Sequence, residues 1–290
     1  MSRTRTGGFS IGFRRMGCAW QKDLPHLIEW AKEHGFSAMD LGRDADQTAK
    51  PVHAAGLRLG SVDLKEWQGL ITGDAAKRAD ALARNTEYIK ACAKVGPQNF
   101  FVVMLPEKAD LPRAENFAYM VEGFGALLPV LEQSNSRIVI EGWPGPGAVV
   151  CTPEAFRALF KELPSKAMGI NYDPSHLIRM GIDPLRFLEE FGDRVGHIHG
   201  KDTELLSEDL YEFGNLQPRI FGKNPGFGST FWRYTIPGHG QMRWTKGFAL
   251  LAAAGYKGCV SIELEDGNFN GTEAGEKQGL ILGMRFLEGC

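Results

Sequence analysis

The chain alternates short apolar runs, rich in β-branched and aromatic residues, with longer amphipathic runs, and this alternation constrains the fold more than any other feature. We predict strands at 9–13, 37–41, 57–62, 99–104, 137–141, 168–172, 195–199 and 259–263. The run 100–104 is apolar at every position, as expected of a strand buried on both faces. Strands that alternate with helices indicate an α/β fold with a parallel sheet.

The runs between the strands have helical periodicity and recognisable start and stop signals. Apolar residues recur at three- and four-residue steps along 113–133 and along 75–95, which predicts one amphipathic helix in each segment. Thr152 and Asp183 each precede a proline, a pattern typical of an N-cap followed by the first helical residue. The glycines in 255–258 predict a helix stop and a turn into the last strand.

Eight strands can close into a barrel or remain an open doubly wound sheet. An open sheet of this size usually carries a nucleotide loop, but no Gly-x-Gly-x-x-Gly follows the first strand and no Walker-type Gly-Lys-Ser/Thr occurs. The sequence therefore predicts a (β/α)8 TIM barrel that forms a single domain over 1–290. An irregular insertion at 203–234, rich in Gly, Phe and Asn, follows the seventh strand, and we expect it to serve as a lid or an oligomer contact.

Charge and cysteine content narrow the class of protein. The formal net charge is -2 with a pI near 6.4, so we expect no nucleic-acid partner. The five cysteines are widely spaced without a Cys-x-x-Cys pair, which argues against a disulfide framework and favours a reducing, cytoplasmic setting. Residues 1–17 lack an apolar signal-peptide run, and no stretch approaches the ~18 apolar residues of a membrane helix. We expect a soluble protein without a membrane partner.

Polar residues end four consecutive predicted strands. The fifth strand ends on Glu141, Asp173 follows the sixth, His199 ends the seventh and Glu263 ends the eighth. In a TIM barrel the C-terminal strand ends carry the chemistry, so these side chains should meet at one rim. Three carboxylates and one neutral imidazole would repel one another without a cation. The set predicts one divalent metal ion, with Mn²⁺, Mg²⁺ or Co²⁺ favoured and Zn²⁺ or Fe²⁺ possible.

Neighbouring residues have weaker assignments. His197 shares a strand face with His199 but lies deeper, so we expect a pocket role, and Glu265 lies two residues beyond Glu263 in the loop. The candidate substrate-binding residues are His176, His197, Lys201, Trp143, Arg233 and His239. Further apolar faces for a bound substrate could come from Trp20, Trp67 and Trp232. The histidines expected on the surface, away from the rim, are His26, His34 and His53.

Several of these segments together resemble a known family. The matching motifs are Ile-Val-Ile-Glu141, Tyr-Asp173-Pro-Ser-His176, His197-Ile-His199-Gly-Lys201-Asp202, Ser-Ile-Glu263 and Ile236-Pro-Gly-His-Gly240. The chain resembles the xylose-isomerase-like TIM-barrel superfamily, the sugar phosphate isomerase/epimerase group that also includes endonuclease IV. The resemblance implies that Glu141, Asp173, His199 and Glu263 bind the metal. It also implies that the two glutamates double as acid and base, and that the protein isomerises or epimerises a small carbohydrate.

The implied chemistry is proton transfer next to a carbonyl group. A carbonyl oxygen and its neighbouring hydroxyl would chelate the metal, which stabilises the enediolate formed when the intervening proton leaves. One glutamate removes the proton and the other returns it on the opposite face, which gives epimerisation. Return of the proton to the adjacent carbon gives aldose–ketose isomerisation. A sugar, a keto-sugar or an inositol derivative would all fit this scheme.

Three other functions remain open. A lyase, dehydratase or deglycosidase on an oxidised sugar would use the same metal and expel a leaving group. A nuclease of the endonuclease IV branch needs a trinuclear zinc cluster with histidines at early strand ends, and neither 61–63 nor 103–104 contains histidine. A non-catalytic metal-binding barrel is the third. We also expect that the chain can form a homo-oligomer through the insertion.

Overall fold

The computed structural model describes residues 8–290, and within them eight strands close into a parallel barrel. The barrel strands are β1 (Ser10–Arg14), β2 (Ala38–Leu41), β3 (Arg58–Asp63), β4 (Asn99–Val103), β5 (Arg137–Glu141), β6 (Met168–Tyr172), β7 (Val195–Gly200) and β10 (Cys259–Ile262). Their order around the barrel is β1-β10-β7-β6-β5-β4-β3-β2, which confirms the predicted (β/α)8 fold class. The expectation for residues 1–17 falls partly outside this range, since residues 1–7 are not described.

Helices follow the strands, as the alternating pattern predicts. They are α1 (Leu24–Glu33), α2 (Ala45–Ala54), α3 (Ala75–Cys92), α4 (Arg113–Gly125), α5 (Leu128–Gln133), α6 (Pro153–Glu162), α7 (Pro174–Arg179), α8 (Pro184–Phe191), α9 (Ser207–Phe213), α10 (Trp244–Ala253) and α11 (Glu273–Glu288). The predicted caps are present: the Thr152 side chain accepts from the Ala155 N–H, and Asp183 accepts from the N–H groups at the start of α8. None of these helices in the described part of the chain is long and apolar enough to cross a membrane.

One predicted helix is interrupted. The apolar stripe over 113–133 led us to expect a single helix, whereas the structure has α4 ending at Gly125 and α5 beginning at Leu128. Pro129 lies in the first turn of α5. Its ring crowds the carbonyl of residue 125 and it has no N–H to donate, which disfavours a continuous helix at this point.

The described chain forms two compact units, the first comprising 39–172 and 194–197. In this unit β3 to β6 pair in sequence order, with Glu141 opposite Asn171 in the last pair. Nearly all the side chains of β5 and β6 are buried. Gly169 is required in β6, because a Cβ there would lie 2.9 Å from the carbonyl oxygen of Arg194.

The second unit comprises 8–38, 173–193 and 198–290. In it β10 pairs with both β1 and β7, and Ser261 lies opposite His199. The segment predicted as an insertion begins with β8 (Asp202–Leu205) and ends with β9 (Trp232–Thr235), which pair as an antiparallel ribbon. Between them lie α9 and a loop. This ribbon extends from the C-terminal end of β7 and therefore lies next to the residues that follow that strand.

Candidate active site

The four predicted metal ligands form one buried group. Glu141 is the last residue of β5, Asp173 is the N-cap of α7, His199 lies in β7 and Glu263 directly follows β10. Each offers one ligand atom, and these atoms all lie within 4.8 Å of one another. Three carboxylate oxygens and one imidazole nitrogen at this spacing are a donor set that fits a single divalent ion.

The Asp173 carboxylate caps a helix with one oxygen and contacts the polar cluster with the other. Its Oδ1 accepts the backbone N–H of Ser175 at 2.8 Å, which caps α7. Its Oδ2 lies 3.3 Å from His176 Nε2 and 3.2 Å from Lys201 Nζ. The capping contact therefore fixes the carboxylate so that the other oxygen points into the polar cluster.

Glu263 is held by cations on both of its oxygens. Lys201 Nζ lies 2.5 Å from Oε2, and Arg14 Nε lies 3.2 Å from Oε1. His199 Nδ1 is 3.3 Å from Oε2. Burial by itself raises the pKa of Glu263, but Lys201 and His199, with Arg14, hold that pKa well below its usual range. The carboxylate is therefore ionised at neutral pH, which is the form needed for a metal ligand or a base.

Lys201, predicted to bind substrate, lies inside the carboxylate group. Its side chain is 1% exposed, and besides Glu263 and Asp173 it donates to Glu265 Oε2 at 2.9 Å. Its ammonium also lies 4.6 Å from the centre of the Tyr234 ring. A buried ammonium surrounded by three carboxylates offsets part of their negative charge.

Glu141 is oriented by an amide that the sequence analysis did not single out. Asn171 Nδ2 donates to Glu141 Oε2 at 2.8 Å, across the β5–β6 pair. Asn171 lies two residues before Asp173, so a period of two places both side chains on one face of the chain. That alternation is the signal by which Asn171 could have been found.

Tyr234 connects the ribbon to the cluster. Its hydroxyl lies 2.7 Å from His176 Nδ1, and burial raises the pKa of this phenol, so it stays protonated. Thr203, opposite Tyr234 in the ribbon, donates to the carbonyl of Ser175 at 2.9 Å. Tyr234 was not among the predicted site residues, because it lies in the segment 203–234 that was expected to be irregular. Its strand could have been predicted from Trp232, Tyr234 and Thr235, which are residue types that favour strands.

His197 lies in a buried pair. Its Nε2 is 2.7 Å from Asp40 Oδ2, and both side chains are fully buried. The other oxygen of Asp40 accepts the Ser61 N–H at 3.0 Å. Asp40 was also missed, since an acidic residue within β2 gives no local sign of a partner that is 157 residues away.

The other predicted substrate-binding residues have contacts of their own. Arg233 forms ion pairs with Glu204 at 2.7 Å and Asp266 at 3.2 Å. His239 is exposed, with its ring 6.2 Å from that of Phe269. Trp143 is half-buried, and its ring lies where a Cβ on residue 145 would be.

The three other tryptophans that were expected to offer apolar faces to the substrate lie in different environments. Trp20 is buried, and its indole N–H donates to Glu276 at 2.6 Å. Trp67 and Trp232 are half-buried. The Arg43 guanidinium lies 4.4 Å from the centre of the Trp67 ring, and the Arg179 guanidinium lies 4.6 Å from the centre of the Trp232 ring. The surface histidines are exposed as expected; they are His26, His34 and His53.

Comparison with known proteins gives a family match over most of the chain. The model of the family described as xylose isomerase-like TIM barrel matches residues 28–290. The chain is 36% identical over 101 residues to the uncharacterized protein YfiH of Bacillus subtilis, which is 34% of this chain and 31% of that protein. It is 28% identical over 156 residues to the inosose dehydratase of Geobacillus thermodenitrificans, which is 52% of this chain and 48% of that protein. The matches therefore span about a third to a half of the length of these relatives.

Among solved structures, the 3-keto-D-glucoside 4-epimerase YcjR of E. coli is similar over the whole fold. The TM-score is 0.70 at 16% sequence identity, and the match covers 97% of this chain and 100% of that chain. At this identity the likeness establishes the shared barrel.

Proposed function

Since the chain belongs to the xylose isomerase-like TIM-barrel family, we propose that it is a divalent-metal-dependent isomerase or epimerase of a sugar, keto-sugar or inositol derivative. The observation that carries the proposal is the buried group of Glu141, Asp173, His199 and Glu263, whose candidate ligand atoms lie within 4.8 Å of one another. We assign these four residues as metal ligands. The ion, Mn²⁺, Mg²⁺ or Co²⁺ by donor preference, would polarise a carbonyl oxygen and stabilise negative charge next to it.

The two glutamates supply the proton transfer. Glu263 is kept ionised by Lys201 and Arg14, so it begins the reaction as a proton acceptor. Its low pKa makes it a weak base, and the polarised carbonyl must therefore acidify the C–H group that it attacks. Glu141, oriented by Asn171, begins the reaction protonated and delivers its own proton from its side of the cluster. Proton exchange with solvent then restores both glutamates.

The remaining polar groups bind and orient the substrate in this proposal. His176 is held at Nδ1 by Tyr234, so its Nε2 is aimed at the cluster beside Asp173. His176 and Lys201 would bind substrate hydroxyls, with His197, Trp143, Arg233 and His239 as weaker candidates. The proposal includes a small carbohydrate as substrate, a cytoplasmic location, a single domain over 1–290 and no nucleic-acid partner.

A dehydratase that acts on an oxidised sugar is the second candidate, and the position of Lys201 favours it. The Lys201 ammonium lies 2.5 Å from Glu263, so a base and an acid are adjacent. Glu263 would take the C–H proton while Lys201 gives its proton to the neighbouring hydroxyl, which leaves as water as the double bond forms. The partial match to a protein named inosose dehydratase supports the same candidate.

Incubation in D₂O with Mn²⁺ and a panel of ketoses, keto-sugars and keto-inositols separates the two. An isomerase or epimerase exchanges a substrate hydrogen for solvent deuterium, so its product is slightly heavier than the substrate. A dehydratase instead gives a product that has lost one water molecule. Mass spectrometry distinguishes the two products. Glu141→Gln and Glu263→Gln should abolish incorporation. Glu154→Gln, on an exposed side chain in the first turn of α6, is the matched control and should not. Incorporation that survives both glutamate variants would contradict the proposal.

A further inference from the structure

The loop between the two ribbon strands carries a concentrated apolar surface. Four large side chains in α9 and the loop after it are almost fully exposed: Tyr211 at 88%, Leu216 at 88%, Ile220 at 85% and Phe221 at 99%. We call these four residues the 211–221 face. Single exposed apolar residues are ordinary on protein surfaces, but four within eleven positions are typical of a binding surface.

The backbone that presents this face is anchored by Arg219. Its Nη2 donates to Asp209 Oδ2 at 2.6 Å and to the Thr230 carbonyl at 2.7 Å, and its Nη1 donates to the Lys223 carbonyl at 3.3 Å. The guanidinium also lies 4.4 Å from the centre of the Phe213 ring. These contacts join α9 to both sides of the loop, so the apolar side chains project from an ordered scaffold. Binding of a partner there therefore costs little free energy for ordering the loop.

The size of the face fits a small protein interface. The four exposed side chains together offer on the order of 600 Å², against about 800 Å² per partner in a standard interface. In residues 8–290 the other exposed large apolar side chains are between 36% and 42% exposed; they are Leu210, Phe227, Leu282 and Phe286. Leu210 and Phe227 flank the face in sequence and extend it.

We infer that the 211–221 face is the interface of a two-fold symmetric homodimer, in which it packs against the same face of a second copy. In a two-fold dimer the same surface of each copy meets its counterpart, so an apolar face is covered by an equal apolar face. Within residues 8–290, Leu282 and Phe286 are only partly exposed and offer a poorer apolar partner surface than the 211–221 face itself. The rim also has both signs of charge, with Glu208 and Glu212 on α9 and Lys223 in the loop. In a two-fold arrangement, acidic groups of one copy can face basic groups of the other. The inference does not depend on the proposed reaction.

Sedimentation velocity of the full-length chain from about 1 to 100 µM tests the inference, since a small interface should have a Kd in or below this range. The wild type should sediment with twice the chain mass of 32.0 kDa. Phe221→Asp and Ile220→Asp each place a charge within the interface and should weaken dimerisation at least tenfold. Both side chains are almost fully exposed, so the melting temperature of the monomer should not change.

Leu282→Asp is the matched control, because it places the same charge on an exposed apolar side chain of α11 and should leave the dimer intact. A chain that stays monomeric up to about 100 µM would overturn the inference and assign the face to a different partner. A dimer that both loop variants leave unchanged would also overturn it, since the interface would then lie elsewhere.

Discussion

Replacement of Lys201 by Met tests how the buried carboxylates are balanced. The Lys201 ammonium lies 2.5 Å from Glu263, 3.2 Å from Asp173 and 2.9 Å from Glu265. Methionine is similar in length and keeps the apolar stem, so the substitution removes the charge and leaves little cavity. Two of the three carboxylates are then left buried without this cation.

The magnitude follows from their burial. The side chains of Asp173 and Glu263 are 0% and 9% exposed, and removing one partner of a buried ion pair costs about 3–5 kcal/mol. Glu265 is 26% exposed, so its pair with Lys201 adds at most about 1 kcal/mol. We expect Lys201→Met to lower the free energy of unfolding by about 3–5 kcal/mol, a large part of the ~5–15 kcal/mol of a typical domain.

Urea unfolding with EDTA or with saturating Mn²⁺ measures this loss and its dependence on the ion. An ion at a hundred times its Kd stabilises by about 2.7 kcal/mol, and it should bind the variant more tightly because the ammonium no longer competes for the same oxygens. The difference between wild type and variant should therefore narrow by about 1–3 kcal/mol in Mn²⁺. Lys90→Met, at an exposed pair with Glu87, is the control and should cost less than about 0.5 kcal/mol. A loss under about 1 kcal/mol in EDTA, or a difference that Mn²⁺ leaves unchanged, would refute the reasoning.

Three further predictions concern two residues around the site and Cys18, which lies in the loop after β1. Tyr234→Phe removes the hydroxyl that contacts His176 but keeps the ring, so kcat should fall about tenfold, and Tyr234→Leu should lower it further; equal kcat values for the two variants would contradict the role assigned to the ring. The Asp202 carboxylate accepts three backbone N–H groups and one indole N–H, and Asp202→Asn turns an amide donor toward them. It should lower the free energy of unfolding by about 2–4 kcal/mol, and urea midpoints equal to wild type would exclude this. Burial and the contact with Glu276 raise the pKa of Cys18 to about 12, so the thiol is protonated at pH 8. Alkylation followed by mass spectrometry should modify Cys18 about a hundredfold more slowly than a free cysteine, and Glu276→Gln should speed it; rapid labelling of the wild type would contradict the raised pKa.

The strands of the barrel could be predicted because their apolar runs are short, continuous and bounded by turns. For example, β5 was predicted at its observed bounds, and β6 likewise. The break between α4 and α5 was not predicted, because the apolar stripe continues across it although Pro129 disfavours a continuous helix there. The local pattern therefore locates elements well and locates an interruption only when backbone chemistry is considered together with periodicity.

The candidate ligands could be predicted because a strand end is a local feature and the barrel fixes where strand ends meet. The contacts of Arg14 and Tyr234 depend instead on which strands pair and in what register. Arg14 contacts Glu263 because β1 is paired with β10, at opposite ends of the chain. Tyr234 contacts His176 through a ribbon whose two strands are separated by α9 and a loop. Sequence periodicity does not encode these long-range registers.

Calorimetric titration of the purified protein with Mn²⁺ tests the central claim most directly. We expect about one ion per chain in the wild type, and at least tenfold weaker binding in Asp173→Asn. The matched control is Asp183→Asn, which changes the same residue type at the N-cap of α8, also before a proline, and should bind as the wild type does. If the wild type binds no Mn²⁺, or if Asp173→Asn binds as tightly as Asp183→Asn, the buried group around Asp173 is not the metal site proposed here.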